Sequence, residues 1–346
     1  MTCVERLQAT GILRRGSPSR GFRFVHAGGG RASGAEMERI RALRLPPAWR
    51  DVAIAPSSAA RVQAVGRDAA GRWQYVYHPA HVRRRERHKA DRLLRFGVAL
   101  PLLRGAVARD LRARELTRDK VLAVVVRVLS CAFIRPGSEA YAAENGSYGL
   151  ATLRRKHVTI VGDAVHFDFP AKSGKRLQRT LRDAGVARLM RGLVRLPGHE
   201  VFKYVTEDGR VCDIRRADIT EYIKRHMGDR FSAKDFRTWT ATLFCANALA
   251  RSNRDVVAAH GESAPRTALE KARKKAVVAA IKETADHLGN TPAICRSSYV
   301  SGRVLAAYEN GRVLSCCIAG VEDLTIRRSR GLHRVERALL SLLRAA

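Results

Sequence analysis

The chain has 346 residues, 46% of them hydrophobic, which is enough to build two domain cores and excludes a mainly disordered basic tail protein. Lys and Arg total 65 against 32 Asp and Glu, a formal charge of +33. A charge of that size repels itself when the chain compacts, and a polyanion, most commonly nucleic acid, relieves the repulsion. Residues 1–33 offer little to bury: they hold Gly28-Gly29-Gly30 and an arginine-rich stretch between Arg14 and Arg23, and are expected to be loosely ordered. A helix is predicted from Ser33 or Gly34 to Leu45, stopped by Pro46-Pro47. Strand character follows at 52–55, 61–66 and 72–78, with a hairpin-like connection over 67–71. A basic run at 81–89 comes next, and from residue 90 the apolar period is helical. The expected organisation is α+β: a small antiparallel β-rich domain over 1–92, then a larger, mainly helical domain over 93–346 with one three-stranded sheet.

In the second part, residues 121–134 form an apolar run with Arg127 inside it. It is too short for a membrane span, which needs ~20 residues, and reads as a buried helix. Pro136 disfavours helical backbone at the residue before it, so Arg135 is expected at the mouth of that helix. Strands are predicted at 157–161, 164–169 and 175–181. Gly162-Asp163 forms the first turn, and 170–174 the second with Lys172 at its tip. Val165, Phe167 and Phe169 share one face of the middle strand, and His166 and Asp168 the other. Ser232-Ala233-Lys234-Asp235 fits a capping box, and Trp239, Leu243, Ala246 and Ala250 then recur at helical spacing. Arg237 falls about one turn into that helix. A further helix over 268–288 buries Val277, Ile281 and Leu288 and stops at Gly289, just before Asn290. Thr291 and Pro292 start another helix, with Tyr299 two turns in. Val335, Leu339, Leu342 and Leu343 mark a final amphipathic helix, which could pack in cis or on another copy.

The seven cysteines are scattered and contain no C-x-x-C, which argues against a disulfide framework or a zinc site and for a reducing cytosol. Residues 1–10 lack a signal-peptide core. The abundance of Arg and Ala points to a GC-rich bacterial coding sequence. There is no G-x-x-x-x-G-K-[ST], no H-E-x-x-H and no acidic cluster at metal-ligand spacing. Neither a nucleotide cofactor nor a metal is therefore expected. Phosphoryl chemistry would fall to Arg, Lys and a side-chain nucleophile. Taken singly, Arg135, Lys172 and Arg237 read as solvated charges and Tyr299 as packing.

In combination these segments resemble the type IB DNA topoisomerases of the poxvirus and bacterial kind. The resemblance rests on Ile134-Arg135-Pro136-Gly137, on Asn145-Gly146-Ser147-Tyr148-Gly149-Leu150-Ala151-Thr152-Leu153, on Lys156-His157-Val158 with Ala171-Lys172-Ser173-Gly174-Lys175, on Lys234-Asp235-Phe236-Arg237-Thr238-Trp239, and on Leu288-Gly289-Asn290-Thr291-Pro292 with Ser298-Tyr299-Val300. Gln63-Ala64-Val65-Gly66-Arg67-Asp68 and Gly71-Arg72-Trp73-Gln74-Tyr75-Val76-Tyr77-His78 are similar to the family's DNA-cap domain. The sequence departs from the family at Ala171, at Ser130-Cys131-Ala132 and at Ser301-Gly302.

The resemblance implies Tyr299 as the nucleophile, forming a 3′-phosphotyrosyl enzyme and releasing a 5′-hydroxyl strand. It implies Arg135, Arg237 and Asn290 as ligands of the non-bridging oxygens, and Lys172 as the acid that protonates the leaving 5′ oxygen. Gln74, Tyr75 and Tyr77 match residues that enter the major groove, and Tyr141 one beside the cleavage site. A regular strand puts Tyr75 and Tyr77 on one face and Gln74 on the other. The implied partner is double-stranded DNA, with no membrane, held by a monomer that clamps the duplex in the cytoplasm at the nucleoid. Two other protein classes share part of this pattern. Tyrosine recombinases share the chemistry but carry His-x-x-Arg where Lys234 gives Lys-x-x-Arg. A non-catalytic basic DNA-binding protein explains the charge and leaves the motifs without a reason.

Overall fold

A computed structural model of the chain describes residues 1–260, 265–319 and 331–345. It divides into two compact units, Met1–His88 and Lys89–Ala346.

The first unit is an antiparallel five-stranded sheet with two short helices. Its strands are β1 (Ile12–Ser17), β2 (Gly21–His26), β3 (Arg50–Ile54), β4 (Val62–Arg67) and β5 (Trp73–Tyr77), in the order β2-β1-β3-β4-β5. Helix α1 (Cys3–Thr10) places Val4 and Leu7 against Ala53, Ala55 and Val65, and α2 (Gly34–Ala42) places Ile40 against Val52, Ile54 and Ala64. Alternate residues of β3 and β4 thus face different helices, which is why both strands are buried on both faces. Loose order over 1–33 is the expectation that fails. Thr2 with Glu5 and Ser33 with Glu36 form capping boxes, and β1 pairs with β2 and β3. The few apolar residues of this stretch, Val4, Leu7 and Ile12, find their partners some 40–60 positions downstream, beyond what local composition can register.

Pro79–Asp110 forms one helix, α3, starting at Pro79 and not at residue 90. Proline suits a first helical position, and the basic run is the solvated opening of the same helix, so its apolar period begins late.

In the second unit, α4 (Arg118–Ala132) is buried nearly all round: Val121 through Val126, Val128 and Leu129 all belong to one continuous core. It ends earlier than expected, because Phe133 takes a left-handed backbone (φ 58) and the chain then passes through Arg135 outside any helix or strand. Strands β6 (Val158–Val161), β7 (Ala164–Pro170) and β8 (Arg176–Arg182) form the three-stranded sheet, with Val165, Phe167 and Phe169 turned into that core. A small hairpin, β9 (Lys203–Val205) and β10 (Val211–Asp213), precedes the last helices. The remaining helices are α5 (Glu139–Asn145), α6 (Ala184–Leu193), α7 (Arg216–Met227), α8 (Ala233–His260), α9 (Arg266–Leu288), α10 (Pro292–Ile294), α11 (Gly302–Glu309) and α12 (Arg334–Ala345).

Helix α12 packs in cis. Val335, Leu339 and Leu343 are fully buried, and the Glu336 carboxylate, also buried, accepts from Arg104 at 2.7 and 2.8 Å and from the Trp239 indole at 3.2 Å. Burial alone would push the Glu336 carboxyl up, but the Arg104 guanidinium and the His333 amide outweigh it and hold the group below its ordinary 4.5. A carboxyl lowered on folding stabilises the protein above its unfolded pKa, and that gain disappears as pH falls through the folded value. Glu336→Gln is therefore expected to cost about 3–5 kcal/mol at neutral pH, the usual effect of removing one member of a buried pair. The gap to wild type should narrow as pH falls below 4.5 and through the lowered folded value, where protonated Glu336 resembles glutamine. Urea unfolding midpoints across pH 3–7 check this, and a gap independent of pH would refute it.

Candidate active site

The second unit holds a cavity of about 410 Å³ whose lining includes Arg135, Lys172, Arg216, Lys234, Arg237 and Tyr299. Among the described residues, no Asp or Glu lines it. It is a concentrated positive field without a compensating acid, suited to an anion with several oxygens.

Arg135 is positioned by its backbone. The Leu150 amide donates to the Arg135 carbonyl at 2.9 Å, and the Ala151 amide to the Pro136 carbonyl at 2.8 Å. Two glycines make that approach possible. Gly137 has φ +83, and a Cβ on Gly149 would lie 2.5 Å from the Gly137 backbone and 2.7 Å from the Arg135 carbonyl oxygen. The Arg135 side chain then donates to Asn290 Oδ1 at 2.7 Å.

Arg237 lies in the first turns of α8, whose start is secured by Asp235. That carboxylate accepts from the Ser232 amide at 2.8 Å and from Arg92 Nη2 at 2.7 Å. Only 4% of Arg237 is exposed. Its guanidinium donates to the Phe133 and Leu288 carbonyls, each at 2.8 Å, and to Asn290 Oδ1 at 3.4 Å, and it sits 5.4 Å from the centroid of the Tyr299 ring. Burial, and then the neighbouring Arg135 charge, push it down to about 10, which still leaves it cationic at neutral pH. Arg237 Nε and Asn290 Nδ2 are buried donors without a hydrogen-bond partner. An unpaired buried donor is costly, so both are suited to acceptor oxygens supplied by a ligand.

Asn290 follows Gly289, whose left-handed backbone (φ 62) ends α9 and turns the chain back so that the Asn290 amide meets the Ala285 carbonyl at 2.9 Å. Tyr299 is not two turns into an α-helix as expected. After α10 the chain widens into a π turn, Cys295–Tyr299, closed by Val300 N–H to Cys295 O at 3.0 Å. Such turns recur at functional sites, where they re-aim a side chain. The Thr242 hydroxyl of α8 donates to the Tyr299 carbonyl at 3.2 Å and accepts from the Ser301 amide at 3.1 Å. One helix therefore fixes both Arg237 and the backbone around the tyrosine.

Lys172 opens a short 3₁₀ turn, Lys172–Gly174, between β7 and β8, and is exposed. Arg176 braces the hairpin below it by a two-pronged contact with Asp168 at 2.6 and 2.8 Å. Tyr141, on α5, also lines the cavity. Gln74, Tyr75 and Tyr77 lie on β5 of the first unit. The Tyr75 and Tyr77 rings stack on one face at 6.1 Å, while the Gln74 amide donates to Asp68 Oδ2 at 2.9 Å.

Residues 80–310 match the profile of the eukaryotic DNA topoisomerase I catalytic core, and residues 21–68 that of the bacterial DNA topoisomerase IB N-terminal domain. The chain belongs to the type IB DNA topoisomerase family. It is 32% identical over 314 residues to DNA topoisomerase 1B of Acanthamoeba polyphaga mimivirus, spanning 90% of this chain and 91% of that one. It is 26% identical over 247 residues to DNA topoisomerase 1B of vaccinia virus (strain Western Reserve), 70% of each chain. DNA topoisomerase 1 of rabbit fibroma virus is 24% identical over 282 residues, 78% of this chain and 80% of that one.

As a DNA topoisomerase the enzyme is an isomerase with DNA as its substrate. Of the residues that the topoisomerase resemblance singles out, Arg135, Lys172, Arg237, Tyr299 and Tyr141 line one cavity, and Asn290 is bonded to two of them. Arg216 and Thr242 were missed in the sequence, and Tyr148, like Lys234, stood in a motif without a role. Arg216 carried no signal among so many arginines. Thr242 acts through its backbone contacts, which a composition-based reading cannot see.

Proposed function

We propose that this topoisomerase relaxes supercoiled DNA through a covalent tyrosyl intermediate carried by Tyr299. The Tyr299 oxygen attacks a backbone phosphorus, losing its proton to solvent water as the new P–O bond forms. The bond to the 5′ oxygen breaks, and Lys172 gives that oxygen a proton, leaving a 5′-hydroxyl end and a 3′-phosphotyrosyl end. Arg135, Arg237 and Asn290 hold the non-bridging oxygens, and the free Arg237 Nε and Asn290 Nδ2 are the donors available for that task. The 5′-hydroxyl then reverses the reaction. One ester replaces another, so the exchange needs no nucleotide, and guanidinium charge takes the place of a metal ion. The observation that carries this reading is one cavity combining the tyrosine, among the described residues, with five cations and no carboxylate.

In this reading residues 1–92 form a DNA cap that uses Tyr75 and Tyr77, and Gln74 once it leaves Asp68, while Tyr141 meets DNA beside the cleavage site. One chain clamps the duplex as a monomer at the nucleoid of a bacterial cytoplasm. No helix among the described residues is long and apolar enough to cross a membrane. The cis-packed α12 supports this over the recombinase alternative, in which a C-terminal helix would reach another copy.

Supercoiled plasmid incubated with the protein in EDTA and without nucleotide is expected to relax, and a denaturing gel is expected to trap a covalent 3′ adduct. A strict requirement for Mg²⁺ or ATP would overturn this chemistry.

A further inference from the structure

Strand β8 carries a charge on the wrong face. Leu177, Arg179 and Leu181 point inward, and Arg179 stands opposite Phe167, itself 1% exposed. Burial depresses the Arg179 guanidinium. Among the described residues no carboxylate pairs with it to offset that cost. Its guanidinium donates to two main-chain carbonyls: Gln178 O, at 2.8 Å, and His287 O.

The second partner gives the position meaning. His287 lies in the last turn of α9, next to Leu288, whose carbonyl Arg237 holds, and shortly before Asn290. The outward carbonyls of a helix C-terminus are unpaired and carry the negative end of its dipole, so a cation there is favourable. Two arginines therefore grip adjacent carbonyls of one helix end, one from the sheet and one from α8. On its other side the His287 ring meets Phe244, which packs edge-on against Phe133. The end of α9 is held between the sheet and α8, and Gly289 then delivers Asn290.

We infer that Arg179 is a positioning residue for the cleavage reaction: through the His287 carbonyl it fixes the end of α9, so that Asn290 reaches its phosphate oxygen. This rests on Asn290 acting as a phosphate ligand. A displacement of about 1 Å at a reacting group can cost about 100-fold in rate.

The test is single-turnover cleavage of a duplex by Arg179→Met, Arg179→Lys, Asn290→Ala and the Arg179→Met/Asn290→Ala double variant, with non-covalent DNA affinity and melting temperature measured alongside. Arg179→Met is expected to slow cleavage about 10–100-fold with affinity within a few-fold. Arg179→Lys, with one ammonium for two carbonyls, should fall between it and wild type. The double variant should cleave no more than about 2-fold slower than Asn290→Ala, since a residue acting through Asn290 has nothing left to position. If the two losses multiply, or if rate, affinity and melting temperature fall together in both Arg179 variants, Arg179 is merely structural and the inference fails. Asn290→Ala at the wild-type rate would instead remove the assignment of Asn290, which that single variant reveals on its own.

Discussion

Tyr299→Phe is expected to form no covalent adduct with DNA, while its affinity for the duplex stays within a few-fold of wild type. The substitution removes one oxygen and keeps the ring, with its position 5.4 Å from the Arg237 guanidinium. The backbone on either side remains tied to the Thr242 hydroxyl. Lys172→Ala should instead slow cleavage by about 10²–10⁴, the usual contribution of a positioned acid. The two are separated by a substrate in which sulfur replaces the scissile 5′ oxygen. A thiolate leaves without a proton, so that substrate should restore cleavage to Lys172→Ala and not to Tyr299→Phe. Failure of the sulfur substrate to rescue Lys172→Ala would move the lysine from proton donor to phosphate ligand. An adduct formed by Tyr299→Phe would end the assignment altogether.

Arg237 should show the second largest effect, and in two properties at once. Its guanidinium satisfies the Phe133 and Leu288 carbonyls, and losing a partner costs a buried polar group about 1–3 kcal/mol. Arg237→Ala should therefore lower stability as well as cut the cleavage rate by about 10²–10³, the usual loss when one oxyanion donor is removed. Arg237→Lys keeps a charge but not the planar fork, and cannot hold two carbonyls, Asn290 Oδ1 and a phosphate together. It should recover part of the stability and little of the rate. The sulfur substrate should rescue neither, because the missing interaction is with the phosphoryl oxygens. Arg237→Lys cleaving at the wild-type rate would show that charge alone suffices and that the fork has no role.

What could be read in the sequence depended on the distance over which each feature is determined. The Lys172 turn was legible because a hairpin is local: alternating strands meet at Pro170 to Gly174 whatever the rest of the chain does. Asp235 announced the start of α8, and Gly289 the end of α9, for the same reason. Helix α1 and the β1–β2 hairpin were not legible, since Val4, Leu7 and Ile12 are buried by strands far along the chain. The left-handed Phe133, which ends α4 before Arg135, has no signature in residue type, because glycine or asparagine is the usual occupant of that backbone. The π turn beneath Tyr299 was also hidden. Thr291 and Pro292 specify a helix start, but not the wider closure onto Cys295. Within the site, the residue types pointed to phosphoryl chemistry, whereas the bond from Arg135 to Asn290 spans 155 positions and emerges only in the folded chain.

The flush contact of Gly137 with Gly149 bears on how random mutants of this enzyme would sort. Every single-base change that alters a glycine codon's meaning and does not stop translation adds at least a Cβ. At Gly149 that atom lands 2.5 Å from backbone, where no side chain can rotate away. A genetic screen scored only on DNA relaxation would then rank Gly149 with the arginines, although it donates no hydrogen bond from a side chain and carries no charge. Mapping such a screen by chemistry alone would misassign it. Read as geometry, a cluster of inactive alleles at Gly149 would mark the wall against which the Arg135 main chain rests.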